Sequence, residues 1–260
     1  MGYQTLELRH KDLVATITLN RPESRNAISA QMIDELLAAF AELEASPARV
    51  VILTGAGKAF CSGMDLDALR SLAGQSFDQN LDDSRQLAKL FLRIYGFPKP
   101  VIAAVNGPAI AGGCGIATLA DFTLAAPKAK FGYTEVKIGF LPAIVSVFLR
   151  RQVGEKRARD LLLSGRIFDA AEAHRLGLVT EIVPAGNLVA RAQTLAGALL
   201  AASPRSLART KRLLLAFDEA ALNDEIELAV RENAGIRSTA EFREGLSAFL
   251  EKREPNWSGD

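Results

Sequence analysis

Residues 99–121 read KPVIAAVNGPAIAGGCGIATLAD, and no other stretch restricts the fold as much. Val101–Val105 is an unbroken apolar run, which reads as a buried strand, and Pro100 suits its first position better than its middle. The run passes directly into Gly107, Pro108, Gly112, Gly113 and Gly115, then into the apolar stretch Ile116–Ala120 ending at Asp121. Glycine at this density marks a backbone that something approaches closely, or one that needs positive φ. RVVILTG at 49–55 repeats the theme: a short apolar run stops at Gly55 and feeds the turn GAGKAFCSGMD.

Strand and helix signals alternate around these two runs. Tyr3–Arg9 and Leu13–Leu19 have strand character, and RPESRNA at 21–27 is a polar loop. Ser29 is placed to cap a helix whose Met32, Ile33, Leu36, Leu37, Phe40 and Leu43 share one face. Helical patterns over 66–72 and 81–95 separate the two buried runs, and DFTLAAP and AKFGYTE read as further short strands. Beyond Pro142 helices dominate, with LVTEIVP as a last strand, and 186–251 is helical almost throughout, broken at Ser203–Pro204. Strands separated by helices call for right-handed crossovers and a sheet that is at least partly parallel. The expected layout is an α/β core over 1–185 followed by a helical region over 186–260.

Composition removes several function classes. With 31 Lys and Arg against 30 Asp and Glu, the net charge of +1 lacks the basic excess of a nucleic-acid binder. Cys61 and Cys114 cannot make a disulfide framework, and neither sits in a C-x-x-C pair. The N-terminus MGYQTLELRHKDL has no apolar core of a signal peptide, and no run approaches a membrane span, so a cytoplasmic protein with no membrane partner is expected. LTGAGKAF is not a phosphate loop, because that motif needs glycine at Ile52 and a hydroxyl at Ala59. Gly113-x-Gly115-x-x-Thr118 lacks the third glycine of a dinucleotide turn. No G-x-S-x-G is present, and His10 and His174 have no ligand-spaced neighbours, so no metal is expected.

What remains is the pair of glycine-containing turns, each following a buried strand. A turn that opens a helix leaves main-chain N–H groups without partners. Two of them converging on one point would form an oxyanion hole, whose donors are worth roughly 2.7–4 kcal/mol each. Two turns packed together for structure alone is the plainer reading of the same spacing.

Taken in order, KAFCSGMDL, KPVIAAVNGPAIAGGCG, ADFTLAAPKAKFGYTEVKIGFLP, SGRIFDAAEAHRLGLVTEIV and EGLSAFLEKREP resemble the enoyl-CoA hydratase/isomerase, or crotonase, family across essentially the whole chain. The resemblance implies a spiral of ββα units with a helical C-terminal trimerisation region, in a homotrimer or hexamer. It implies an acyl-CoA thioester substrate, with coenzyme A as part of the substrate and no separate cofactor, and an enolate held in an oxyanion hole. Matched residue by residue, the oxyanion N–H groups fall on Met64 and Gly112. Coenzyme A contacts fall on Arg25, Ala27, Ala59, Asp65 and Leu66, and Phe249 and Lys252 match positions that often reach a neighbouring subunit's adenine site.

Hydratases of this family use two glutamates. One matches Glu135; the other would follow the glycine-rich turn, where this chain has Gly115. Hydration gains from two carboxylates around one water, whereas a 3-to-2 double-bond shift needs a single base that takes a proton from C2 and returns it to C4. A lone Glu135 in an apolar cleft would have a raised pKa, suiting both roles. Ala143 stands where dienoyl isomerases of the family place an aspartate, which argues against that reaction. Hydratase and isomerase both stay open, with an acyl-CoA-binding scaffold, a decarboxylase or a thioester hydrolase as alternatives. An acyl pocket is expected from the helices around 66–95 and 142–150.

Overall fold

The computed structural model describes residues 2–72 and 74–257. In chain order the elements are β1 (Leu6–Lys11), β2 (Val14–Leu19), α1 (Ala30–Ala45), β3 (Val50–Gly55), α2 (Leu66–Leu72), α3 (Phe77–Tyr95), β4 (Val101–Val105), β5 (Ala109–Ile110), α4 (Gly112–Thr118), β6 (Phe122–Ala125) and β7 (Lys130–Gly132). They continue with α5 (Ala143–Val153), α6 (Glu155–Ser164), β8 (Ile167–Asp169), α7 (Ala170–Arg175), β9 (Glu181–Ile182), α8 (Leu188–Leu200), α9 (Pro204–Ala216), α10 (Glu219–Ile236) and α11 (Ala240–Glu251).

A six-stranded sheet runs β1-β2-β3-β4-β6-β9, antiparallel only at the β1–β2 hairpin and parallel beyond it. Side chains alternate across a strand. Val51, Leu53, Val101, Ala103 and Val105 therefore enter the core shared with α1, α3 and α5. Val50, Ile52, Ile102 and Ala104 face the other way, where Leu188, Ala192 and Ala196 of α8 cover them. Both faces are closed, which is why β3 and β4 read as continuous apolar runs.

A second sheet, β5-β7-β8, stands beside the first and carries the chain toward Glu135. Two of the C-terminal helices pack against the core: α10 lies against α3 and α5, and α11 against the 3-10 turn Glu135–Ile138. The mixed α/β architecture with a helical C-terminal region matches the expectation.

Three boundaries differ from the sequence pattern. α3 starts at Phe77, not at 81, because Ser76 and Gln79 form a reciprocal capping box that apolar spacing does not register. Ala109–Ile110, inside the glycine-rich stretch, is a strand bridging Cys61 to Phe131. The last strand shrinks to Glu181–Ile182, since the N–H groups of Leu178 and Val179 both close onto Ala173 O at the end of α7.

Candidate active site

The two turns meet through a short extended segment, residues 61–65. On one side Ile28 bonds to Gly63 O and to the Asp65 N–H, at 2.7 and 2.9 Å. On the other, Cys61 pairs with Ala109, and Ile110 N–H donates to Cys61 O at 2.9 Å. Because Gly63 and Asp65 take the bonds to Ile28, the intervening N–H of Met64 points away from it, toward the side where Ala109–Gly112 lies. The approach is close: Gly63 sits at φ +92, and a Cβ there would stand 3.1 Å from the Ala111 Cβ. Glycine is required on both counts.

Ala111 itself adopts φ 51, ψ −126, an arrangement costly for a residue with a side chain, and its N–H is tied to Gly132 O at 2.7 Å. This turn aims the first residue of α4, Gly112, back toward Met64. Among the described residues, neither the Met64 N–H nor the Gly112 N–H has an acceptor. Bonds to helix carbonyls are unavailable to the first residues of a helix.

Glu135 follows β7 and opens the 3-10 turn over 135–138. It is 8% exposed, and its Oε2 has no hydrogen-bond partner among the described residues. Burial, opposed only by a hydrogen bond from its own N–H, lifts the carboxyl from 4.5 to about 7. The group can thus hold or release a proton near neutrality.

Met64, Gly112 and Glu135 open into one cavity of about 820 Å³. Arg25, Ala27, Asp65, Phe249 and Lys252 also line it. Phe249 and Lys252 thus reach the cavity of their own chain, where the resemblance pointed to a neighbour's site. Ala59 does not line the cavity: it is 3% exposed, and its carbonyl accepts from Asn26 Nδ2 at 2.9 Å. Leu66 begins α2, and its side chain lies outside the described residues. The expected acyl pocket is partly met, since Leu69, Leu87, Ala143, Ile144 and Val145 line the wall.

Gly115 lies one turn into α4. A Cβ there would stand 2.8 Å from Val145 Cγ1 and 2.9 Å from Phe91 Cε2. The direction a second carboxylate would take is filled by two apolar side chains from α3 and α5. Sequence spacing cannot reveal this, because the residues lie 24 and 30 positions away.

Two further features escaped the motifs. Arg21 reaches across the loop to Asp65 at 2.8 Å and to Ala27 O at 2.7 Å. Burial opposes ionisation of Asp65, but the Arg21 hydrogen bond, with N–H groups of Asp67 and Ala68, holds its pKa below the usual carboxylate value. Asn233 of α10, more than 100 residues from either turn, also lines the cavity. An isolated asparagine within a helical pattern carries no signal of such a place.

The chain matches the family described as Enoyl-CoA hydratase/isomerase over residues 9–260. A putative enoyl-CoA hydratase of Thermus thermophilus is 48% identical over 248 residues, covering 95% of this chain and 98% of that protein. A probable enoyl-CoA hydratase of Rhodobacter capsulatus is 37% identical over 262 residues, covering 100% of both. The crystal structure of an enoyl-CoA hydratase/isomerase from Xanthobacter autotrophicus Py2 superposes with a TM-score of 0.89 at 33% identity, covering 97% of this chain and 98% of that one.

Proposed function

Because the chain belongs to the enoyl-CoA hydratase/isomerase family, we propose that it moves a proton at C2 of an unsaturated acyl-CoA, with Glu135 as the single acid/base. The thioester oxygen accepts hydrogen bonds from the N–H groups of Met64 and Gly112. Both are backbone donors fixed before substrate arrives, so they need no reorganisation as negative charge grows on that oxygen. The Glu135 carboxylate takes the C2 proton of a 3-enoyl thioester. The electron pair of that C–H bond becomes the enolate, and the same carboxyl returns the proton to C4, leaving the double bond between C2 and C3.

The observation that carries this reading is a buried carboxyl whose Oε2 has no partner among the described residues, sharing a cavity with two main-chain N–H groups that likewise have none. The closed space at Gly115 favours a one-carboxylate reaction over hydration with two. Hydration is the second reading, supported by the names of the relatives. It would then proceed from Glu135 alone, slower by a factor on the order of 10² to 10⁴ for one missing acid/base group. In this reading coenzyme A lies against Arg25, Ala27, Asp65 and Lys252, with Arg25 and Lys252 meeting its phosphates; all four line the cavity, and the two cations are exposed. A homotrimer or hexamer fits the exposed Leu213, Leu214 and Phe217 of the α9 region.

The test is direct. A 3-enoyl-CoA should gain 2-enoyl absorbance on mixing, faster than a 2-enoyl-CoA loses it. Faster loss from the 2-enoyl compound would make the hydratase reading the better one. No change with either, while acyl-CoA still binds, would leave a scaffold.

A further inference from the structure

The wall of the cavity formed by α3, α5 and α10 is apolar except at one point. Leu87, Leu141, Ile144 and Val145 line the same cavity as Asn233, which is 3% exposed. The Oδ1 of Asn233 accepts from Ser84 Oγ and from Arg237 Nη2, each at 2.8 Å. The Arg237 guanidinium has only donors, so the amide cannot be turned round without setting N–H against N–H. Arg237 is itself buried and held by partners. Its side chain is 0% exposed, paired with Asp83 at 2.8 Å and bonded to Asn80 Oδ1 at 3.2 Å.

The carboxamide is therefore locked with Nδ2 on the remaining side. That nitrogen has two hydrogens, and among the described residues its one acceptor is Leu141 O, at a long 3.4 Å. One N–H is left for the cavity. Its donor strength is increased by the guanidinium that polarises the other end of the amide. A purely hydrocarbon chain lying against this wall would bury the N–H without a partner, which is unfavourable.

We propose that Asn233 reads an oxygen acceptor on the acyl group beyond the reacting carbons, and that the thioesters this protein prefers are oxygenated there. A keto, hydroxyl or carboxylate oxygen would each satisfy the N–H. This rests on the acyl-CoA reading but not on which reaction follows, so it is tested with saturated thioesters that cannot react.

Dissociation constants are measured by calorimetry on the full chain for acyl-CoAs of matched length, bearing a methyl, a hydroxyl, a ketone or a carboxylate at the far end. The best oxygenated compound should bind about tenfold more tightly than the methyl compound. The hydroxyl and ketone arms against the carboxylate arm show which oxygen is read. Asn233→Asp keeps the acceptor for Ser84 and Arg237 but removes the N–H, and should abolish the preference for the ketone and the carboxylate, which have no hydrogen to donate to it. Asn233→Leu should reverse it. Wild-type protein that binds the methyl compound as tightly as every oxygenated one overturns the proposal without needing a variant to fold. So does a preference for the ketone that is unchanged in Asn233→Asp. Failure of every thioester to bind would instead overturn the acyl-CoA reading, and this proposal with it.

Discussion

Replacing Glu135 with glutamine should remove activity and, at alkaline pH, relieve a cost to stability. The carboxyl sits at about 7 in the folded protein against 4.5 as its ordinary value, and burial is the cause. Below the lower value the group is protonated in both states and nothing is lost. As pH rises, the unfolded chain releases its proton first, so stability falls until the folded carboxyl also ionises. The full loss is about 3 kcal/mol. Glutamine carries no titrating group and escapes this loss, although its own amide would be poorly partnered at the same spot. The comparison is therefore the pH dependence of the difference, not its absolute value. Urea unfolding of both proteins at about pH 5 and about pH 8.5, at one protein concentration, should show the variant gaining about 2.5 kcal/mol relative to wild type, since part of the loss has already occurred at pH 5. Parallel curves would refute the argument, because the carboxyl would then be ionising as freely in the cavity as in water. The same variant should lose a factor on the order of 10² to 10⁴ in turnover.

Other expectations follow from the same geometry. Wild-type kcat/KM should rise tenfold per pH unit below about 7 and level off above it, since the free enzyme must present a carboxylate; a flat profile from pH 5 to 8 would remove Glu135 as the base. Gly115→Ala should destabilise the protein, since overpacking against Phe91 and Val145 costs about 1–3 kcal/mol and exceeds the helix-propensity gain of about 1 kcal/mol; thermal unfolding reads the sign. Ala111→Gly should raise stability by about 1 kcal/mol by removing the strain at φ 51, and unfolding midpoints would detect it. Arg25→Ala with Lys252→Ala should weaken acyl-CoA binding and flatten its salt dependence, as titrations at two ionic strengths would show.

Much of the architecture was legible because it is written in local patterns. Two buried runs interrupted by helices specify a parallel sheet with both faces covered, and that is what β3 and β4 form. Gly63 and Ala111 show where local reading stops. The glycine is visible, but its reason, an alanine methyl 48 residues on, is a tertiary fact. Glu135 could be singled out only through the family resemblance, and its unpartnered oxygen only from the fold. Ala59 looked like part of the site because it sits in the turn; Asn26, buried and bonded to its carbonyl, turns it inward. Asn233 was invisible because a helix brings it to the cavity from the far end of the chain.

The insertion of α10 between α3 and α5 bears on how this chain could be trimmed. The division at residue 186 suggests a catalytic unit that would survive without its tail. Yet cutting before α9 would unroof the cavity, stripping away Asn233, Phe249 and Lys252 and orphaning Asp83 and Ser84 on α3. A protease nick near Ser203 should therefore yield fragments that stay together or unfold together, and no half that works alone.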